Sequence, residues 1–390
     1  MRISHLRQRL SDLGAKPCHA DRLLRGWSQV CSYDKKHSPA ETFFPLALRR
    51  ELPAIEAELS GLARLRGEFP AGEGVARLLV ELRDGQMAES VLLPRGGLCV
   101  STQVGCAVGC VFCMSGRDGL LRQLGSAEIV AQVALARQRR AVSKVVFMGM
   151  GEPAHNLDNV LEAIEVLGTQ GNIGHKNLVL STVGDLRVFE RLMGGLSPQG
   201  NTSTQLSHAG GDRTSAPPPQ PSQAWSDRTR VPPPQPSPGG RGGERGGQFL
   251  ISVKPALAIS LHTTDAELRA RLLPRAPRIA IKELVERAES YARATHYPTQ
   301  YQWTLLEGIN DSDAELERIA QLLAGKYAVM NFIPFNPVDG LAFRRPSPER
   351  IAHMVGTLNR RRILARVRDS AGQEVEGACG QLRARALKAA

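Results

Sequence analysis

The chain alternates between short apolar runs and longer stretches with helical spacing. Residues 144–148, 177–181, 256–260, 301–305 and 329–333 read as short strands buried on both faces. Helices are predicted between them. Ser126 reads as an N-cap with Glu128 in the first turn, ahead of Ile129, Val130, Val133 and Ala134. Asp158 opens a helix through Val160, Leu161, Ile164 and Leu167, and residues 283–294 and 314–323 supply two more. This alternation predicts an α/β fold with a parallel sheet, open or closed into a barrel. Residues 1–75 differ. Helical spacing over 20–28 and 47–59 predicts a small helical accessory domain ahead of a main domain at 76–390.

The pattern breaks near residue 196. From about 197 to 247 the chain is rich in Pro, Gly, Ser and Arg, with few large apolar residues. Asp212-Arg213-Thr214 recurs as Asp227-Arg228-Thr229, and Pro217-Pro-Pro-Gln-Pro-Ser222 recurs as Pro232-Pro-Pro-Gln-Pro-Ser237. Such a segment buries too little surface to offset its ordering entropy, so a disordered insertion with polyproline character is expected. A long flexible loop closes at only slowly growing entropic cost, so the insertion can loop out from the main domain. A Pro-rich ligand for a partner domain is the alternative to a neutral insertion.

The 390 residues suffice for one large barrel-type domain plus a small accessory one, and 42% are apolar. No run of about 18 uncharged apolar residues occurs and no signal core follows Met1, so no membrane span and a cytoplasmic location are expected. The net charge is +12, of which the insertion contributes only five Arg against Asp212, Asp227 and Glu244. A basic surplus outside the insertion favours a polyanionic partner. The seven cysteines are Cys18, Cys31, Cys99, Cys106, Cys110, Cys113 and Cys379. Odd in number and unevenly spaced, they point to metal or catalysis rather than a disulfide framework.

The strongest local signal is Cys106-Ala-Val-Gly-Cys110-Val-Phe-Cys113. Three thiolates so close can converge on one metal centre and leave one position open. Structural zinc usually takes four ligands, and no second Cys pair or nearby His completes such a set. A four-iron cluster with one uncapped iron fits better, because that iron can hold a substrate. Residues 97–101 read as the end of a first strand, which puts the cysteine loop where parallel sheets gather their ligands. Phe112 is placed to shield the centre. A second motif, Phe147-Met-Gly-Met-Gly151-Glu152-Pro153, follows the next strand. Its glycines let a ligand approach the backbone, and Glu152 can accept from an ammonium group.

CxxxCxxC with an aromatic before the last Cys resembles the radical S-adenosylmethionine superfamily. More narrowly, Cys99-Val-Ser-Thr-Gln-Val-Gly-Cys106, Gly149-Met-Gly-Glu-Pro153, Ser260-Leu-His262, Ile333-Pro-Phe-Asn336-Pro337 and Ala378-Cys379-Gly-Gln-Leu382 resemble the RlmN/Cfr family of adenine methyltransferases, in order and across all but the insertion. The resemblance implies a partial (β/α) barrel of the radical S-adenosylmethionine type with a small helical N-terminal domain. It implies a [4Fe-4S] cluster on Cys106, Cys110 and Cys113 and S-adenosyl-L-methionine contacted by Gly151, Glu152, Ser181, Ser260, Leu261, His262 and Asn336. Cys379 is implied to take a methyl group by displacement. A cofactor-derived radical then removes hydrogen from that methyl, and the carbon radical adds to adenine. Glu89 is the implied proton acceptor, and Cys99 releases the product by forming a disulfide with Cys379. The implied target is C2 of an adenine in 23S rRNA, favoured over C8, with tRNA a further substrate. The protein is expected to be a monomer reduced by a flavodoxin or ferredoxin.

The run Met114-Ser-Gly-Arg-Asp-Gly-Leu-Leu-Arg122 departs from the family's usual Thr-Gly-x-x-Gly-Phe-x-Arg-Asn. That departure bears on the RNA target more than on cofactor chemistry. Three rivals stay open: a radical enzyme with a non-RNA substrate, a zinc-stabilised RNA-binding protein, and a family member that has lost catalysis. Cys18 and Cys31 receive no role.

Overall fold

The computed structural model describes residues 1–34, 38–194, 251–338 and 340–382. The expected insertion at 197–247 lies outside them. Helices α1 Ile3–Asp12, α2 Pro17–Gln29, α3 Ala40–Phe43 and α4 Leu46–Ser60 lead the chain. Strands β1 Ala63–Pro70, β2 Ala76–Leu82, β3 Met87–Leu93 and β4 Gly97–Cys99 then form an antiparallel meander. A hairpin of β5 Gln103–Gly105 and β6 Leu120–Gln123 brackets the cysteine loop. The alternating part follows: α5 Ser126–Arg137, β7 Lys144–Phe147, α6 Leu157–Gly168, β8 Leu178–Thr182, α7 Leu186–Gly194 and β9 Ala256–Ser260. It continues with α8 Ala266–Leu272, α9 Ile281–Thr295, β10 Thr299–Leu305, α10 Asp313–Leu323, β11 Ala328–Pro334, α11 Pro348–Arg360 and β12 Ala365–Val367.

One ten-stranded sheet has the order β1-β2-β3-β4-β7-β8-β9-β10-β11-β12, and every pair from β4 onward is parallel. Helices cover its outer face, which is why the parallel strands read as near-continuous apolar runs. The sheet curls. Arg368, just past β12, donates to Met148 Sδ, just past β7, at 3.2 Å. Those strands stand five places apart in the sheet, roughly 24 Å if it were flat. Strands β1 and β12 are the two edges and do not pair among the described residues, so this is the expected partial barrel rather than a closed one.

Two details differ from the sequence pattern. Ser126 is not the cap of α5 but its first residue. Gly125 caps it, its amide donating to Glu128 Oε2 at 2.7 Å. Residue 75, the expected domain boundary, lies in the turn between β1 and β2. The helix signal fades before it because β1 is an edge strand in which Arg64, Arg66 and Glu68 alternate with Leu65, Gly67 and Phe69. The buried faces of α1, α2 and α4 (Leu6, Leu10, Leu23, Leu24, Ile55 and Leu59) share one core with α5, α6 and the sheet.

Ser126 is spent on the chain start instead. Its hydroxyl accepts from the Ile3 amide at 2.8 Å and donates to buried Glu162, which also accepts from Ser4 N at 2.7 Å. Glu162 therefore caps α1 from α6. Glu162→Ala strips that cap and is expected to cost about 2 kcal/mol. Thermal unfolding checks this, and an unchanged midpoint would count against the capping role.

Candidate active site

The cysteine loop is clamped at both ends. Gly105 has φ +79°, and a Cβ there would lie 2.1 Å from the Gly119 carbonyl oxygen, so the hairpin closes only with glycine. Cys106 N donates to Gly119 O at 2.9 Å, and Val111 N to Leu272 O at 3.1 Å. Cys106 and Phe112 pack with Val183, Leu272, Leu306 and Phe335 in an apolar shell. Burial pushes the Cys106 thiol up to about 12, with the neighbouring Cys113 adding to it. Burial and the neighbouring cysteines also raise Cys110, and burial raises Cys113. Such thiols become thiolates when a cationic centre compensates them. Among the described residues, no three His, Cys, Asp or Glu side chains converge as a single ion requires. A multi-iron cluster takes each thiolate at a separate iron, so the donor set suits it.

These cysteines open onto a cavity of about 870 Å³ at the carboxyl ends of the parallel strands. Gly151, Glu152, Ser181, Ser260 and His262 line it too. Glu152 is buried, and burial lifts its carboxyl to about 7 although Ala154 N, Val183 N and the Thr182 hydroxyl oppose the shift. His262 has φ +63°, and its Nδ1 accepts the Thr304 amide at 3.0 Å, which leaves Nε2 as the donor. Phe112 stands edge-on to it, with ring centroids 4.9 Å apart. Leu261 does not line the cavity. Alternation along the strand points Ser260 and His262 inward and sends the Leu261 side chain into the outer core. Asn336 is engaged elsewhere, its amide donating to the Cys379 carbonyl at 2.9 Å.

A second cavity of about 1870 Å³ adjoins the first. Both are lined by Cys113, Ser115, Met148, Gly149, Arg368, Cys379 and Gly380, which therefore form the partition between two chambers of one lumen. Cys99 lines only the second chamber. Burial pushes the Cys99 thiol to about 12, nearby Cys379 raises it further, and Arg368 opposes the shift. Glu89 lines neither chamber. It lies on the sheet face that carries Cys99, two residues before Val91, the Cys99 partner, and is ion-paired to Arg77.

Four contributors were not singled out from the sequence. Arg368 bridges Met148 and Gln302 Oε1, the latter at 3.1 Å. Buried Arg269 donates to the Val183 and Ser260 carbonyls and so ties the ends of β8 and β9. Asn310 donates to the carbonyls of His262 and Thr304 at 2.7 and 2.8 Å, which fixes the left-handed turn at His262. Gln302 had a signal: Gln300, Gln302 and Thr304 alternate through an otherwise apolar strand and mark a polar lumen face.

Residues 100–214 match the family model of the Radical SAM superfamily, SAM being S-adenosylmethionine. A probable RNA methyltransferase of Methylibium petroleiphilum is 60% identical over 387 residues, 99% of this chain and 94% of the relative. A probable RNA methyltransferase of Pseudomonas aeruginosa is 57% identical over 390 residues, 100% of this chain and 96% of the relative. The crystal structure of a radical SAM methyltransferase from Sphaerobacter thermophilus matches with a TM-score of 0.72 at 30% identity, covering 99% of this chain and 98% of that one.

His262 is held neutral. Burial, followed by the charge of Arg269, pushes its pKa from 6.5 down to about 3. Between those values the unfolded chain binds a proton that the folded one does not, so stability falls as pH drops through that window. His262→Asn keeps an acceptor for Thr304 and tolerates positive φ. It is expected to flatten the acid limb, and urea midpoints from pH 7 to pH 4 check this. Parallel curves for the two proteins would contradict it.

Proposed function

This chain belongs to the radical S-adenosylmethionine family of RNA methyltransferases, and from that membership and the two-chambered lumen we propose that it methylates an adenine carbon of RNA through a methylated Cys379. The observation that carries the reading is the lining of both chambers by Cys379. A thiol in a shared wall can take a group from one side and deliver it to the other.

A four-iron cluster on Cys106, Cys110 and Cys113 would bind S-adenosylmethionine and supply its one-electron cleavage. Glu152 offers a buried acceptor for the ammonium group of that cofactor, and Gly151, packed against the Gln103 side chain, lines the cavity beside it. Ser181, Ser260 and neutral His262 offer hydrogen bonds around it. Leu261 contributes through its strand rather than its side chain. Asn336 acts by holding the Cys379 main chain.

Adenine C2 and C8 are not nucleophilic, so a polar methyl transfer fails and a sulfur-borne carbon is needed. Cys379 carries that carbon. Cys99, from the substrate-side chamber, attacks the Cys379 sulfur; the carbon leaves with the bonding pair and takes up a proton to become the product methyl group, and a Cys99–Cys379 disulfide results. Arg368 supplies the positive charge that favours the Cys99 thiolate. Glu89, held by Arg77 behind this chamber, is the proposed proton acceptor. The proposed target is C2 of an adenine in 23S rRNA, favoured over C8, with tRNA a second substrate. The enzyme works as a cytoplasmic monomer reduced by a flavodoxin or ferredoxin. Among the described residues no helix is long and apolar enough to cross a membrane.

Nucleoside mass spectrometry of rRNA and tRNA after anaerobic incubation with reconstituted protein, reductant and cofactor tests the proposal. Methyladenosine is expected, and its position separates C2 from C8. Cys106→Ala should lose iron and sulfide along with the product. Cys379→Ala should keep the cluster and lose the product. Cys99→Ala should accumulate RNA covalently attached to the protein, visible as a shifted band that nuclease removes. A cluster-loaded protein that cleaves cofactor yet forms no methyladenosine would overturn the RNA assignment.

A further inference from the structure

We propose that the larger chamber is a phosphodiester channel in which Lys144 and Arg366, with Arg368 behind them, hold the RNA backbone beside the nucleotide whose base meets Cys379. This rests on the RNA reading above and adds the residues that grip the strand.

The lining is cationic. Arg95, Lys144, Arg366 and Arg368 stand against two exposed carboxylates, Glu73 and Asp369. The hydrogen-bond partners described for these arginines inside the lumen are neutral. Arg366 Nε donates to Asn331 Oδ1 at 2.7 Å, and Arg368 Nη1 donates to Gln302 Oε1 and Met148 Sδ. Lys144, Arg366 and Arg368 share no ion pair with an acid among the described residues. They crowd one another as well: after burial, Arg368 and Arg366 are what lower the Lys144 pKa. Holding like charges together without a counter-ion costs stability.

Two neutral donors stand among these cations. The buried Ser370 hydroxyl lines the chamber without a partner, and the buried Asn331 Nδ2 beside Arg366 also has none. Cations with hydroxyl and amide donors are the recurrent chemistry of phosphate contacts, which position a strand without reading its sequence. An acidic electron donor fits less well, because Cys113 alone of the three loop cysteines faces this chamber.

The test is a double variant, Lys144→Gln with Arg366→Gln, in the cluster-loaded enzyme. Binding of a short fluorescent single-stranded RNA is followed by anisotropy across a salt series. Each lost phosphate contact lowers the slope of log K against log salt by about 0.7, so a fall of about 1.4 and roughly tenfold weaker binding at 0.15 M salt are expected. Iron content should match wild type, and the thermal midpoint should be no lower than wild type because two like charges are removed. A control with Lys282→Gln and Arg287→Gln on the outer helix α9 should bind as wild type does. An unchanged slope in the test variant overturns the channel, and so does an equal loss in the control. Slower reduction by an acidic flavodoxin with RNA binding intact assigns the cations to a protein partner and also overturns it. Wild-type enzyme that forms no methyladenosine strikes the function reading, whereas unchanged RNA binding in the variant strikes the channel alone.

Discussion

The Met114 amide donates to the Gly380 carbonyl at 2.7 Å, the Ser115 hydroxyl donates to the Leu382 carbonyl at 2.7 Å, and the Asn336 amide donates to the Cys379 carbonyl at 2.9 Å. These bonds lay residues 378–382 across the curled sheet and against the cysteine loop. The partition between the chambers follows from them, because Cys379 and Gly380 belong to it. Each bond adds about 1 kcal/mol at most. Their geometric effect is larger, since the first two join segments more than 260 residues apart and the third places one sulfur through its own main chain. Gly380 makes the turn possible with φ +86°, which an L side chain rarely adopts.

The two chambers differ in the ligands they suit. The smaller one holds buried Glu152, lifted toward 7 by desolvation, and a histidine held neutral. An incoming ammonium group relieves the carboxylate of its unfavourable burial. The larger chamber collects cations with neutral donors between them. Arg368 stands in the wall and feels both sides, with Gln302 and Met148 on one hand and Cys99 on the other. On the proposed reading, the smaller chamber suits a cofactor with an amino-acid end and the larger one a polyanionic substrate.

Much of the architecture was legible because local patterns agree with the fold. The five apolar runs became β7 to β11, and the helical spacings became α5, α6, α9 and α10. Residues 63–93 were not legible as strands. In β1 charges alternate with Leu65, Gly67 and Phe69, and β2 and β3 carry Arg77 and Glu89, which only their mutual pairing allows to be buried. The cap at Ser126 was misread for a related reason: its hydroxyl serves the first turn of α1, more than a hundred residues away.

In the sequence alone, the cysteine loop and the Gly-Glu-Pro turn stand out by residue type at short spacing, whereas the Ser-Leu-His strand end and the near-terminal cysteine stand out through the family resemblance. Which way each side chain faces was not. Leu261 turns outward by strand alternation, Glu89 is committed to Arg77, and Asn336 reaches the Cys379 backbone. Those outcomes depend on sheet curl and on pairing across long stretches of chain. The same holds for the meeting of Arg368 with Met148 and for the wall that Cys379 shares with both chambers. Spacing along a chain encodes local geometry, whereas a lumen exists only once strands distant in sequence have closed around it.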